Sequence, residues 1–256
     1  MELDILMPAF VAGLLVLTTH IPLGMKVLAR GVIFADIAIA QIAGLGVIIA
    51  SLLNFTAYPL LVQLTAAASA IGGAALLSVI EHYFDDVKEA CIGLTFVLAA
   101  CAGILLLSHD VHGDEHLKDL LVGQILWVST QQLIATAALS AALLLFWQWR
   151  RATLGRMGFY GIFALAVTAS VQLVGVYLVF ASLIVPALTT HHVTRHRLAY
   201  AYLIGIVGYA IGLYLSEWMD LPSGAAIVWS MTLVGGVVVL GLKLWVKPAE
   251  NGGDLN

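Results

Sequence analysis

The chain has 256 residues, 62% of them hydrophobic and only 10% charged, with a formal net charge of −4 and a mean hydropathy of +1.03. A soluble domain of this size must dress its surface with charge, so this composition excludes an ordinary globular fold. The acidic balance argues against a nucleic-acid partner.

Apolar runs of membrane-crossing length recur from end to end, and none alternates apolar with polar as a barrel strand does. The expectation is an all-α polytopic membrane protein forming a single transmembrane domain over residues 1–256. In chain order the spans are predicted at 7–28, 33–53, 58–80, 90–108, 130–149, 157–173, 175–188, 199–216 and 224–245. The first opens on Glu2 and Asp4 rather than a basic cluster, so it reads as a retained span and not a signal peptide. Cys91 and Cys101 share the fourth, which suits packing better than a disulfide. The run 175–188 is too short to cross alone. Eight full transmembrane helices plus one short or re-entrant helix are therefore expected.

Lys26, Arg30, Lys88, Arg150, Arg151, Arg156, Arg195, Arg197, Lys243 and Lys247 fall at alternate ends of these spans. Only Lys118 falls on the other side, with Glu2, Asp4, Asp110, Asp114, Glu115, Asp119, Glu217 and Asp220. The positive-inside rule then places the N-terminus outside and the C-terminus in the cytoplasm.

Asp36 is the one carboxylate falling inside a predicted span, and an ionisable group at membrane depth is a functional candidate by default. If the first two spans form a hairpin, Asp36 lies level with Lys26 and His20 level with Gln41. Pro22 frees the Thr18 carbonyl, which adds an oxygen. Imidazole, carboxylate, amide and carbonyl could together pass a divalent cation, so Asp36, His20 and Gln41 form a candidate transit site. The plain alternative is an Asp36–Lys26 ion pair and a hydrogen-bonded His20 that merely hold the hairpin together.

Residues 109–119, between the fourth and fifth spans, form an external His/Asp-rich loop. His109, His112 and His116 recur at spacings of three and four, interleaved with Asp110, Asp114 and Glu115. On a helical turn they would share a face suited to zinc, although Gly113 favours a flexible gathering loop over a rigid cage. A solvated loop is the plain alternative. On the opposite side "LTTHHVTRHR" (188–197) gathers His191, His192 and His196, but Arg195 and Arg197 beside them repel a bound cation. A short amphipathic element that docks a soluble partner fits better. Asp85 and Asp86 lie in a second polar patch on that side, "IEHYFDDVKEA" (80–90), and need no catalytic explanation. The sequence holds no HExxH, GxSxG or GxxxxGK[ST] pattern. A membrane enzyme is thus disfavoured, and uphill transport would have to draw its energy from a partner or an ion gradient.

Four segments, in order, resemble the membrane permease subunits of bacterial zinc/manganese ABC importers: "EACIGLTFVLAACAGILLLS" (89–108), "LLVGQILWVSTQQL" (120–133), "VGVYLVFASLIVPALTT" (174–190) and "LSEWMDLPSGAAIV" (215–228). The resemblance implies a type II ABC importer-like permease in the bacterial cytoplasmic (inner) membrane. Such a permease is a homodimer with its path at the dimer axis, served by two cytoplasmic ATPase subunits and an external metal-binding delivery protein. The chain would then be no enzyme itself and hold no permanent cofactor. ATP would bind the partner, and zinc or manganese, with iron a further candidate, would be the substrate. Residues 188–197 would be the coupling element. Two departures stand out. The family's second-helix Asp-x-x-x-His pair is here Asp36 and Ala40, with Gln41 next. The segment after Arg151 lacks the family's Phe-Asp-Pro-Glu stretch. Competing readings are a permease for a metal chelate or vitamin, and a stand-alone ion-coupled transporter.

Overall fold

The computed structural model describes residues 3–85, 88–107, 125–150 and 154–246. Among them run nine helices, and there is no strand: α1 Leu3–Arg30, α2 Ala35–Leu52, α3 Pro59–Tyr83, α4 Lys88–Leu107, α5 Thr130–Arg150, α6 Arg156–Val174, α7 Val176–Thr189, α8 Arg197–Met219 and α9 Ser223–Val246. Among the described residues seven are long and apolar enough to cross a membrane, against the eight expected; α4 has 20 residues, and α7 is the short one expected. The 14 residues of α7 rise roughly 21 Å, too little for a hydrocarbon core of about 30 Å.

Two bundles share α6. In the first, α2 packs between α3 and α4 and also touches α6; in the second, α1, α8 and α9 surround α7. The central α6 is the most enclosed of the long helices and α5 the most peripheral. Close packing in the second bundle depends on small residues. A Cβ on Gly208 of α8 would lie 2.6 Å from the Met231 Cα of α9, so the two backbones touch where a side chain would wedge them apart. Exposed Trp127, Trp149 and Trp218 sit near helix ends, where an interfacial indole finds both apolar and wet surroundings.

Only Gly175 separates α6 from α7. Its φ of 81° and ψ of 163° belong to a region open essentially to glycine alone. Its N–H still donates to the Val171 carbonyl at 2.8 Å, and its own carbonyl accepts from Val179, so the chain breaks direction without orphaning these groups. Gly175→Ala should therefore cost about 1–3 kcal/mol and lower the melting temperature of the purified chain. Gly161→Ala, within α6, is the control, because the added methyl meets nothing within 4 Å. Equal melting temperatures for the two variants would contradict the strain argument.

One end of the first bundle is tied by charge. Glu81 of α3 accepts from Arg30 of α1 at 3.3 Å and lies 3.6 Å from Arg156 of α6, while the Arg30 guanidinium stacks 4.2 Å over the Phe159 ring. In the adjacent turn Lys88 donates to exposed Asp85 at 2.9 Å and holds its carboxyl below the usual range.

Candidate functional site

Asp36 stands in the first turn of α2, next to this charged end, and is 1% exposed. Both carboxylate oxygens are buried without a hydrogen-bond partner. Lys26 is exposed and makes no ion pair with it, so the hairpin ion pair expected as the plain alternative is not formed. The physical reason is the packing: α1 runs along α5, α7 and α8, while α2 runs with α3, α4 and α6. A buried carboxylate without a side-chain donor or cation is costly to keep charged, so a proton or a cation must neutralise Asp36.

One and two turns further along α2, Ala40 and Gly44 continue the face of Asp36. They line a crevice against Ala99, Ala100 and Gly103 of α4, with Val171 and Val176 beyond. The space there is about 10 Å³, room for no more than one water. Ala40, where the resembling family carries histidine, is thus packed away by small neighbours. Half-buried Gln41 also lines this crevice and turns towards a much larger groove of about 780 Å³. Ile37 of α2, Phe96 of α4, Tyr177 and Phe180 of α7 and Trp229 of α9 form its walls. The groove is overwhelmingly apolar, with the Gln41 amide one of its few polar groups.

His20 is fully buried in α1. Its Nδ1 lies 3.0 Å from the Val16 carbonyl and 3.0 Å from the Thr19 hydroxyl, while Nε2 has no partner. Donation from Nδ1 to the carbonyl leaves Nε2 a bare lone pair. No hydrogen bond joins His20 to Asp36 or Gln41. The Thr18 carbonyl released by Pro22 is occupied as well, since the Tyr202 hydroxyl of α8 donates to it at 3.2 Å. The structure thus keeps Asp36 and Gln41 together on α2 and leaves His20 with the other bundle. Among the described residues no group of three or more His, Cys, Asp or Glu side chains is arranged to hold a metal.

Sequence reasoning missed Glu89, in the first turn of α4. Its Oε1 accepts the free N–H of Ile33, just ahead of α2, at 2.5 Å. Its Oε2 is buried without a partner, and the bond to Ile33 sets the carboxyl beside the first turn of α2. The fourth span was expected to begin at residue 90, which left Glu89 looking like the edge of a solvated patch. The chemical signal was there, because a carboxylate beside a span start can cap the neighbouring helix.

His109, Asp110, His112, Asp114, Glu115 and His116 lie outside the described residues. The coupling segment is described, and its shape corrects the expectation of an amphipathic element. α7 ends at Thr189, α8 starts at Arg197, and the residues between form turns with His196 at a φ of 60°. His191 and His192 meet edge to face at 5.1 Å, and Arg195 donates to His196 Nε2 at 3.2 Å. All four are exposed. Arg197 differs from them: it donates to the Ala187 carbonyl at 3.2 Å and thereby satisfies an acceptor near the end of α7.

The sequence matches the family model described as "ABC 3 transport family" over residues 2–159 and 151–241. Two Haemophilus influenzae proteins, each named "Probable iron transport system membrane protein", are 28% identical over 163 residues and 25% identical over 169. Those alignments cover 55% and 57% of this chain, and 60% of each relative's own length. Among solved structures, PsaBC from Streptococcus pneumoniae in complex with Fab superposes with a TM-score of 0.73 at 20% identity, over 95% of this chain and 96% of that one. A second, described as a metal-chelate type ABC transporter in an inward-facing conformation, gives 0.65 at 16% identity over 92% and 85%. At these identities the superpositions speak for the fold.

Proposed function

Because the chain belongs to the ABC 3 transport family, we propose that it is the permease subunit of an ATP-driven importer that carries a divalent metal ion across the bacterial cytoplasmic membrane. The observation that carries this reading is Asp36, a carboxylate buried at a helix start with no side-chain donor or cation on either oxygen. A structural carboxylate would be expected to find a donor there, whereas a transit ligand needs to stand empty between passages. Gln41, on the same helix, places an amide in the wall of the apolar groove. A second copy of the chain facing that groove would enclose it as a path on the dimer axis. The exposed turn of His191, His192, Arg195 and His196 is the surface offered to a cytoplasmic ATPase, and the His/Asp-rich loop of residues 109–119 meets the metal or its carrier outside. His20, apart from Asp36, serves α1 packing in this account.

Manganese, iron and zinc are the candidate cargoes, and the names of the Haemophilus relatives favour iron among them. A second reading, transport of an intact metal chelate, draws support from the large apolar groove and from the description of the second superposed transporter. Metal-stimulated ATP hydrolysis by the permease co-purified with its ATPase separates the two. Free manganese, iron(II) or zinc should stimulate hydrolysis. Stimulation by a metal chelate alone, with free ions inert, would overturn the reading.

A further inference from the structure

Three carboxylate oxygens, both of Asp36 and Oε2 of Glu89, are buried without partners at the same end of the molecule. Glu89 is held in place because its Oε1 accepts the Ile33 N–H, three residues ahead of Asp36. That bond sets the Glu89 carboxyl beside the first turn of α2, where Asp36 stands. No described cation relieves either group: Lys26 is exposed and forms no ion pair, Lys88 is paired with Asp85, and Arg30 and Arg156 are engaged by Glu81. Capping α2 does not explain this arrangement, since the amide oxygen of glutamine would accept the same N–H without a second negative charge. Two carboxyl groups so placed call for neutralisation by a proton or by a cation, and a doubly charged cation satisfies both at once.

We propose that Glu89 is the second carboxylate of the transit site, so that Asp36 and Glu89 together take a divalent cation through oxygen ligands between the first turns of α2 and α4. This rests on the transit role given to Asp36 above. Two carboxylates neutralise a doubly charged cation, which Asp36 alone would leave half compensated. The set also replaces the imidazole that Ala40 does not supply. Carboxylate and amide oxygens suit hard cations such as manganese, so the site loses the nitrogen donor that would favour zinc.

The test is equilibrium binding of manganese(II) alone to the purified full-length chain, read from the loss of the electron paramagnetic resonance signal of the free aqua ion. Glu89→Gln keeps an acceptor for Ile33 and should weaken binding at least about tenfold, because affinity at such sites follows the number of anionic ligands. Asp36→Asn should weaken it similarly, and His20→Ala should leave it unchanged. Should Glu89→Gln fail to elute as a single species, Glu89→Asp carries the test. It retains the charge but withdraws the oxygen, so weaker binding supports the site and unchanged binding overturns it. Wild-type affinity in Glu89→Gln alongside loss in Asp36→Asn removes Glu89 and leaves the transit role of Asp36 standing. Loss in neither variant, or no binding by the wild-type chain, overturns the site altogether.

Discussion

Asp36→Asn should stop metal uptake, lowering it at least about tenfold, while the complex still assembles and hydrolyses ATP at its basal rate. The substitution keeps the shape of the side chain and removes its charge. It breaks no side-chain contact, and the amide oxygen can still face the backbone N–H groups of the helix's first turn. Stability should therefore hold or rise slightly, since a neutral amide costs less to bury than an unpaired carboxylate. Transport should fail for the same reason: a doubly charged ion crossing a low-dielectric path needs a compensating charge. Lys26→Met supplies the control. Lys26 is exposed and forms no ion pair with Asp36, so removing it should neither impair uptake nor rescue Asp36→Asn. Rescue in the double variant would show that the two groups form an ion pair and that Asp36 is structural. Uptake by isotope accumulation, read beside the melting temperature, checks both halves of the expectation.

The second large effect is expected at the turn between α7 and α8. Replacing His191 and Arg195 with Glu makes an exposed surface acidic at the cost only of the surface contacts to His192 and His196. If that surface docks the ATPase through its basic groups, losing them and adding acid should weaken the contact so far that the ATPase no longer co-purifies. Arg197→Ala should behave differently. Its guanidinium satisfies the Ala187 carbonyl, so its loss should lower the melting temperature before it affects association. Co-purification unchanged in the acidic variant would remove the coupling role from this turn.

Much of the fold was legible because membrane-spanning length is a strong constraint. The short element at 175–188 was visible as a run too brief to cross, and the structure supplies the cause in the positive φ of Gly175. The burial of Asp36 followed from its place within an apolar run. What the sequence did not disclose was packing between elements. Consecutive helices usually pair, which made the first two spans look like a hairpin, yet α2 inserts between α3 and α4 and leaves α1 to α5, α7 and α8. That exchange takes His20 and Lys26 away from Asp36. The carbonyl freed by Pro22 finds its donor in Tyr202, 184 residues away, and no local pattern could have shown it. Glu89 was obscured by a boundary: a span drawn one residue short made a half-buried carboxylate with one enclosed oxygen look like a surface one. At 188–197 the composition suited a docking surface but carried no periodicity, so helix and turn could not be told apart.

The most direct test of a metal-ion path through this chain is transport by the chain itself, reconstituted with its ATPase in sealed vesicles. Accumulation of radioactive manganese is then followed with and without ATP. ATP-dependent accumulation that disappears in Asp36→Asn vesicles, with the ATPase still bound, is the predicted result. Accumulation undiminished by Asp36→Asn, or of an intact chelate and never of the free ion, would contradict it.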